Sequence, residues 1–311
     1  MKKNKKALLI ALILLFVIYV VLRLKRPEEK QSPIFGLDSL AIASIEMYDM
    51  ADTLKLQKTK GTWNLLYPVV WKADTLRVGE LFHKVLMAKS PKTEMGVGKQ
   101  AVDNFQLNDS QALHVIIGDS KGKKKVHVLF SNMGNPYDYF RYAGDDKVFQ
   151  IKTKVMNSFS PDIAYWRSPD VVQHTEEALE RIEVKHPQNS YILTRKGSNW
   201  FFKDALNDFA IPSSNLAIMK IVHLLSNLDS FVFIDGNDAK YKDKFKEPAC
   251  EVTLYLSNKS TQKLSFALHE DKNYLMMIDD DPTVLFLVST DSVYRFLRSA
   301  EIFKLRGYLQ G

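Results

Sequence analysis

The sequence predicts an α+β protein, with an N-terminal transmembrane helix followed by two tandem copies of an antiparallel-sheet-plus-helix domain. Three observations carry that expectation. Residues 7–22 run for sixteen positions without a charge, a proline or a glycine. A nineteen-residue pattern that begins at Ile45 returns at Ile182. After each occurrence, one amphipathic helical stretch precedes four short strand-like runs bounded by turn residues.

The uncharged run comes first in the chain. At about 1.5 Å of rise per residue it covers roughly 24 Å, against a hydrocarbon core of about 30 Å. Leu24 extends it if Arg23 snorkels, and Tyr19 takes an interfacial position. Lys2, Lys3, Lys5 and Lys6 would also suit a signal peptide, but no small-residue cleavage site follows promptly. Arg23, Lys25 and Arg26 come first, and Ala41-Ile42-Ala43 comes too late. The expected organisation is a cytoplasmic tail and anchor over 1–26, a tether over 27–36, and domains at 37–170 and 171–311. The count of lysine and arginine on either side puts the N-terminus in the cytoplasm and the bulk of the chain on the extracytoplasmic side of the inner membrane.

Charge argues against a nucleic-acid partner. Residues 1–26 hold seven of the 43 basic residues and no acid, which leaves 36 residues of each sign in the remainder. A nucleic-acid binder carries its basic footprint on the folded domain. The single cysteine, Cys250, excludes an intrachain disulfide and a thiolate cluster.

The repeat is read residue by residue. Ile45-Glu46 and Ile182-Glu183 open the two copies, and Gly61 before Trp63 answers Gly197 before Trp200. The structural signature is therefore Ile45, Gly61, Trp63, Ile182, Gly197 and Trp200. Ser198-Asn199 stands before Trp200 where Thr62 alone separates Gly61 from Trp63, an extra residue that a bulge would absorb. Next comes a helix capped by Asp74, with Val78, Leu81, Phe82 and Val85 on one stripe. In the second copy Ser213 or Ser214 caps, and Ile218, Ile221, Val222 and Leu225 form the stripe. A lysine-bearing connector then leads to runs at 113–117, 126–130, 139–142 and 148–151, and in the second copy at 252–256, 264–268, 274–278 and 284–288. Short helices near 154–159 and 292–297 close the copies.

Sites of chemistry are sparse. Gly118-Asp119-Ser120-Lys121-Gly122 matches a nucleophile elbow, but the residues that follow form a strand, so the motif reads as a hairpin tip. Gly96-Val97-Gly98-Lys99 lacks the spacing of a phosphate loop and is read as following a helix rather than a strand. The seven histidines make no zinc-binding pair, and His83 and His223 occupy equivalent helix flanks. Asp279-Asp280-Asp281 and Asp235-Gly236-Asn237-Asp238 read as turns without a calcium loop's spacing. Trp63 and Trp200 read as repeated core anchors, and residues 240–246 as an exposed charged loop. No catalytic residue, metal or cofactor is expected.

The anchor, the Lys-Gly-x-Trp strand end, the stretch YPVVWKAD before a helix and the second copy together resemble the membrane-anchored family known as domain of unknown function 4340. The resemblance covers about residues 37–303. It implies a partner, since such proteins are often encoded beside ABC-type transporter components of the gliding-motility kind, and it implies no reaction. The expected function is a non-enzymatic, membrane-anchored envelope accessory protein that binds an ABC-type permease and ATPase complex. The alternatives are an enzyme acting on envelope polymers, and a module that binds a small molecule or lipid between the two repeats.

Overall fold

The structure is a computed structural model that describes residues 12–19, 32–37, 40–86, 89–90, 92–120, 125–134, 136–230, 232–235, 239–270 and 273–306. Strands hold 44% of the chain and helices 23%, and the strands form two large antiparallel sheets, so the architecture is β-dominated rather than α+β. The expected transmembrane helix is also corrected. Of the uncharged run only residues 12–19 are described; they are helical, and eight residues rise only about 12 Å. No helix among the described residues is long and apolar enough to cross a membrane.

The chain divides into two compact units. One takes the chain up to Pro68 together with Thr75–Trp166; the other takes Val69–Asp74 together with the chain from Arg167 onward.

In unit 1 the strands are β1 (Ile42–Tyr48), β2 (Thr53–Thr59), β3 (Thr62–Tyr67), β4 (Lys92–Val97), β5 (Leu113–Asp119), β6 (Lys125–Phe130), β7 (Asp138–Tyr142) and β8 (Lys147–Ile151). Their order across the sheet is β3-β2-β1-β5-β6-β7-β8-β4. Register follows burial. Ile45 faces Leu56 in β2 and Ile117 in β5, and Met47 faces Leu54 and Val115. All six are buried, so a slip by one residue would turn this set out to solvent.

Unit 2 repeats the pattern with β9 (Leu179–Lys185), β10 (Tyr191–Lys196), β11 (Asn199–Lys203), β12 (Asp208–Ala210), β13 (Phe233–Asp235), β14 (Cys250–Leu256), β15 (Thr261–Glu270), β16 (Asn273–Ile278) and β17 (Asp281–Ser289). Their order is β12-β11-β10-β9-β14-β15-β16-β17-β13. Ile182 faces Leu193 and Leu254. Each of these three lies 137 positions after its counterpart Ile45, Leu56 or Ile117. The two ladders therefore share one register.

The turns before the tryptophans need no bulge, and the register shift in the first hairpin lies away from its turn, between Lys55 and Leu56. Thr59 pairs with Thr62 across Lys60-Gly61, and Lys196 pairs with Asn199 across Gly197-Ser198. Both turns have two residues, and the glycine has moved by one position. Lys60 and Gly61 both take positive φ (51° and 88°), as a type I′ turn requires. In the second turn only Gly197, at 63°, does so, which is the pattern of a II′ turn.

The connector after each helix is a strand, not a loop. β4 crosses to the far edge and pairs with β8, and β13 pairs with β17 in the same way. β4 reads Lys-Thr-Glu-Met-Gly-Val and is mostly exposed, so it carries no apolar alternation to announce it. The strand Trp71–Lys72 and its counterpart β12 were likewise absent from the sequence expectation.

Helices are short. α1 (Thr75–Leu81) passes into a π-helical turn at Phe82–Leu86, and Val78, Leu81 and Val85 are buried. α2 (Lys99–Asn104) follows β4. In unit 2, α3 (Leu216–Ser226) buries Ile218, Ile221, Val222 and Leu225. Its N-cap is Asn215, not Ser213 or Ser214, and the Asn215 Oδ1 accepts from the amides of Ala217 and Ile218. The charged run expected as a loop forms α4 (Ala239–Lys244). α5 (Thr290–Tyr294) and α6 (Ala300–Lys304) follow the last strand. At 154–159 the expected closing helix is a single 3-10 turn, Met156–Ser158.

Candidate functional site

Each unit carries an open groove at the same place in its own fold. The groove of unit 1 has a volume of about 470 Å³ and that of unit 2 about 500 Å³. One wall is the hairpin that ends in the signature tryptophan, and the other is the helix that follows. On the hairpin wall, Lys58, Gly61, Thr62 and Trp63 correspond to Arg195, Ser198, Asn199 and Trp200. On the helix wall, Val78, Gly79, Phe82 and His83 correspond to Ile218, Met219, Val222 and His223. The hairpin positions are 137 apart and the helix positions 140 apart, so the groove persists although the loop between its walls differs by three residues.

The hairpin register places each tryptophan. Trp63 pairs with Lys58 and Trp200 with Arg195, one step beyond the turn in both copies. Trp63 is 9% exposed, and its ring centroid lies 5.6 Å from that of Phe82. Trp200 is half-buried against the unit 2 core. Each tryptophan is therefore a core anchor that also lines a groove. Val78 and Ile218 are buried beside them, so the helix supplies an apolar floor.

The rims differ in charge. Exposed Lys58 and His83 border the groove of unit 1, and among the described residues no carboxylate lines it. In unit 2 the cations Arg195 and Lys220 and the acids Glu176 and Glu177 all line the groove. Arg195 is held in place, with Nη1 donating to the Glu176 carbonyl at 2.8 Å and Nε to the Gly197 carbonyl at 3.0 Å. His223 Nδ1 lies 3.9 Å from Glu176 Oε1.

Comparison with known proteins gives a family. The family model described as domain of unknown function (DUF4340) matches residues 63–243, more than half of the chain, starting at the tryptophan that lines the first groove and running past the second. The chain belongs to the DUF4340 family. No curated protein matches it. Among solved structures, a crystal structure of DNA polymerase sliding clamp from Pseudomonas aeruginosa with ligand is similar at 8% identity, covering 84% of this chain and 93% of that chain with a TM-score of 0.11. A score that low carries no argument about fold or function.

The other signature residues of this DUF4340 protein are structural. Ile45 and Ile182 are fully buried in β1 and β9, and Gly61 and Gly197 hold the turns. Ser120 follows β5, which is hydrogen-bonded to β6 as a hairpin, so the strand-to-helix turn of a nucleophile elbow does not occur there. Residues 121–124 lie outside the described residues. The Gly96-Val97-Gly98-Lys99 stretch does follow a strand and does open a helix, contrary to expectation. Its Gly98 amide donates to the Asp146 carbonyl at 3.1 Å, and a Cβ on Gly96 would sit 3.0 Å from that of Ala101, so the backbone is engaged in packing.

The acidic turns are tied up by cations. Lys263 Nζ lies 3.1 Å from Asp280 and bonds Glu251, and the Lys263 amide donates to Asp279 Oδ1 at 2.8 Å. Asp235 accepts twice from Nη2 of buried Arg167, at 2.9 and 2.8 Å, while 236–238 lie outside the described residues. Among the described residues, no group of three or more His, Cys, Asp or Glu side chains is placed to hold a metal ion.

One cluster escaped the sequence reading. His114 Nδ1 lies 2.9 Å from His127 Nε2, and His114 Nε2 lies 2.9 Å from the Asp109 carbonyl. Tyr48 stacks on His114 with ring centroids 4.3 Å apart. Burial pushes the Tyr48 hydroxyl pKa up, with Glu46 and Asp109 adding to it. The signal was available: in the β5–β6 ladder His114 faces Leu129 and Ile116 faces His127, which makes the two rings diagonal neighbours on one face. The grooves were missed because Trp63 and Trp200 sufficed as core residues, while the matched positions of His83 and His223 were already visible.

Proposed function

We propose that this DUF4340 protein is a non-enzymatic accessory protein of the bacterial cell envelope, which holds an ABC-type permease and ATPase complex at the extracytoplasmic face of the inner membrane. The observation that supports this reading is the recurrence of one groove in both units. Eight lining positions correspond, although the sequences around them have diverged. Two equivalent sites on one chain suit a partner that also offers two equivalent elements, and tethering raises the effective concentration for the second contact. The transporter as partner rests on the family resemblance.

The test is affinity purification of the tagged full-length protein from native membranes in mild detergent, with partners identified by mass spectrometry. Permease and ATPase subunits are expected at stoichiometric recovery. Recovery of the protein alone, even after crosslinking, would sink the proposal.

A further inference from the structure

We infer that unit 2 holds one binding site for a phosphate group, in a hollow between α3 and the segment that runs from α5 into α6. Its volume is about 200 Å³, under half that of either groove, which suits a small anion rather than a chain segment. Lys220 of α3, Arg295 at the end of α5 and Arg298 before α6 line it beside Leu216, Ala217 and Ile302. Among the described residues no carboxylate lines this hollow; Glu176 and Glu177 line the groove and not the hollow.

The three cations stand out because they lack partners of opposite charge. Lys203, Lys263 and Lys304 of the same unit each meet a carboxylate, on Asp208, Glu251 and Glu301. Among the described residues Lys220, Arg295 and Arg298 form no ion pair. Like charges around one hollow repel one another, and an anion placed among them relieves that repulsion. Two guanidiniums offer planar forks that match phosphate oxygens, and three positive charges favour a multivalent oxyanion over a carboxylate.

The walls are fixed before a ligand arrives. Arg295 Nη1 donates to the Lys220 carbonyl at 3.4 Å, which ties the end of α5 to α3. Asn215 Nδ2 donates to the Ile302 carbonyl at 2.8 Å, which ties the start of α3 to α6. A site ordered in advance loses less freedom on binding. The first amides of α3 add nothing, since those of Ala217 and Ile218 donate to Asn215, so the attraction comes from the side chains.

Unit 1 has no counterpart. Helix positions 140 apart put Glu80 where unit 2 has Lys220, and Glu80 lies 3.8 Å from Arg77. One site per chain follows.

The experiment is equilibrium dialysis of the full-length protein, in non-ionic detergent at constant ionic strength. The ligands are radiolabelled inorganic phosphate and radiolabelled glycerophosphoglycerol, each alone, with acetate as competitor. The expected result is saturable binding at one site per chain, roughly tenfold or more tighter than acetate and weakened by added salt. Tighter binding of inorganic phosphate identifies a free phosphate as the occupant, and tighter binding of the diester identifies a lipid headgroup. Arg295→Gln with Arg298→Gln should lose about tenfold or more, because charge-assisted hydrogen bonds are removed. Lys220→Glu, a change to the acid that unit 1 carries, should lose as much. Lys220 and Arg298 are exposed, so Lys220→Glu and Arg298→Gln should each keep the wild-type melting temperature, and they carry the test if the double variant does not fold. Absence of saturable binding by either phosphate, acetate as tight as phosphate, two sites per chain, or full affinity in the Lys220→Glu and Arg298→Gln proteins would each overturn the inference.

Discussion

His114 and His127 share a single proton between facing ring nitrogens, His114 Nδ1 and His127 Nε2, 2.9 Å apart. The arrangement fixes both tautomers. His114 Nε2 faces the Asp109 carbonyl and must carry hydrogen, so its Nδ1 accepts and His127 Nε2–H donates. Burial pushes the His127 pKa below its ordinary 6.5, and His114 and Arg141 lower it further against the opposite pull of Asp109 and Glu46. A depressed folded pKa means that the neutral ring's contribution is present above about 6.5 and is lost as pH falls through the folded value. The melting temperature should therefore drop between pH 7 and pH 5. His127→Gln, whose amide can still donate to His114, should flatten that slope. Parallel slopes for the two proteins would show that this pair does not govern the effect.

The first hairpin turn stores strain that one substitution should release. Lys60 sits at φ 51° beside Gly61 at 88°. An L-residue with a long side chain is disfavoured there by roughly 1–2 kcal/mol, whereas asparagine tolerates the left-handed region. Lys60→Asn creates the Asn-Gly pair that type I′ turns prefer and should stabilise unit 1 by about 0.5–1 kcal/mol. Gly61→Ala should cost about 1–2 kcal/mol. Denaturant midpoints at constant slope check both signs.

These turns also show how far the sequence could be read. The spacing from Ile45 to Trp63 and from Ile182 to Trp200 revealed the repeat because buried residues and turn glycines are constrained by backbone and packing. The glycine's shift by one position looked like an insertion only because one-dimensional spacing does not show which turn residue takes positive φ. β4 was invisible for a related reason: an exposed edge strand buries few side chains and needs no alternation. The grooves were hidden because a wall built from two distant segments leaves no local motif. Only the parallel placement of His83 and His223 hinted at a repeated surface.

Cys250 should behave as an inert thiol. It is fully buried in β14, and burial, aided by Glu251, pushes its pKa up to about 12. The thiolate is the reactive form, so at pH 8 a disulfide reagent should label it only as fast as unit 2 opens. Mild denaturant should raise that rate by orders of magnitude. The same shift gives an alkaline limit. The folded pKa lies above the unfolded value near 9, so the contribution is intact below pH 9 and declines as pH rises toward 12. Rapid stoichiometric labelling of the native protein at pH 8 would contradict the burial.

Asn215 joins the start of α3 to the end of α6 through one side chain. Its Oδ1 caps α3 by accepting from Ala217 and Ile218, while Nδ2 donates to the carbonyls of Ile302 and Leu305, both at 2.8 Å. The residue is 1% exposed and Ile302 is half-buried, whereas exposed Leu305 can turn its carbonyl to water. Losing a cap costs about 1 kcal/mol, and leaving the part-buried Ile302 carbonyl without its donor adds about a further 1–3 kcal/mol. Asn215→Ala should therefore destabilise unit 2 by about 2–4 kcal/mol, well beyond a cap alone. Asn215→Asp separates the two roles. It keeps the cap acceptor and favours the helix N-terminus, yet it turns an anion toward two carbonyl oxygens. If Asp proves as stable as Asn, the carbonyl contacts contribute nothing and only the cap matters. If Asp is as damaging as Ala, the amide that ties α3 to the end of α6 is the dominant part.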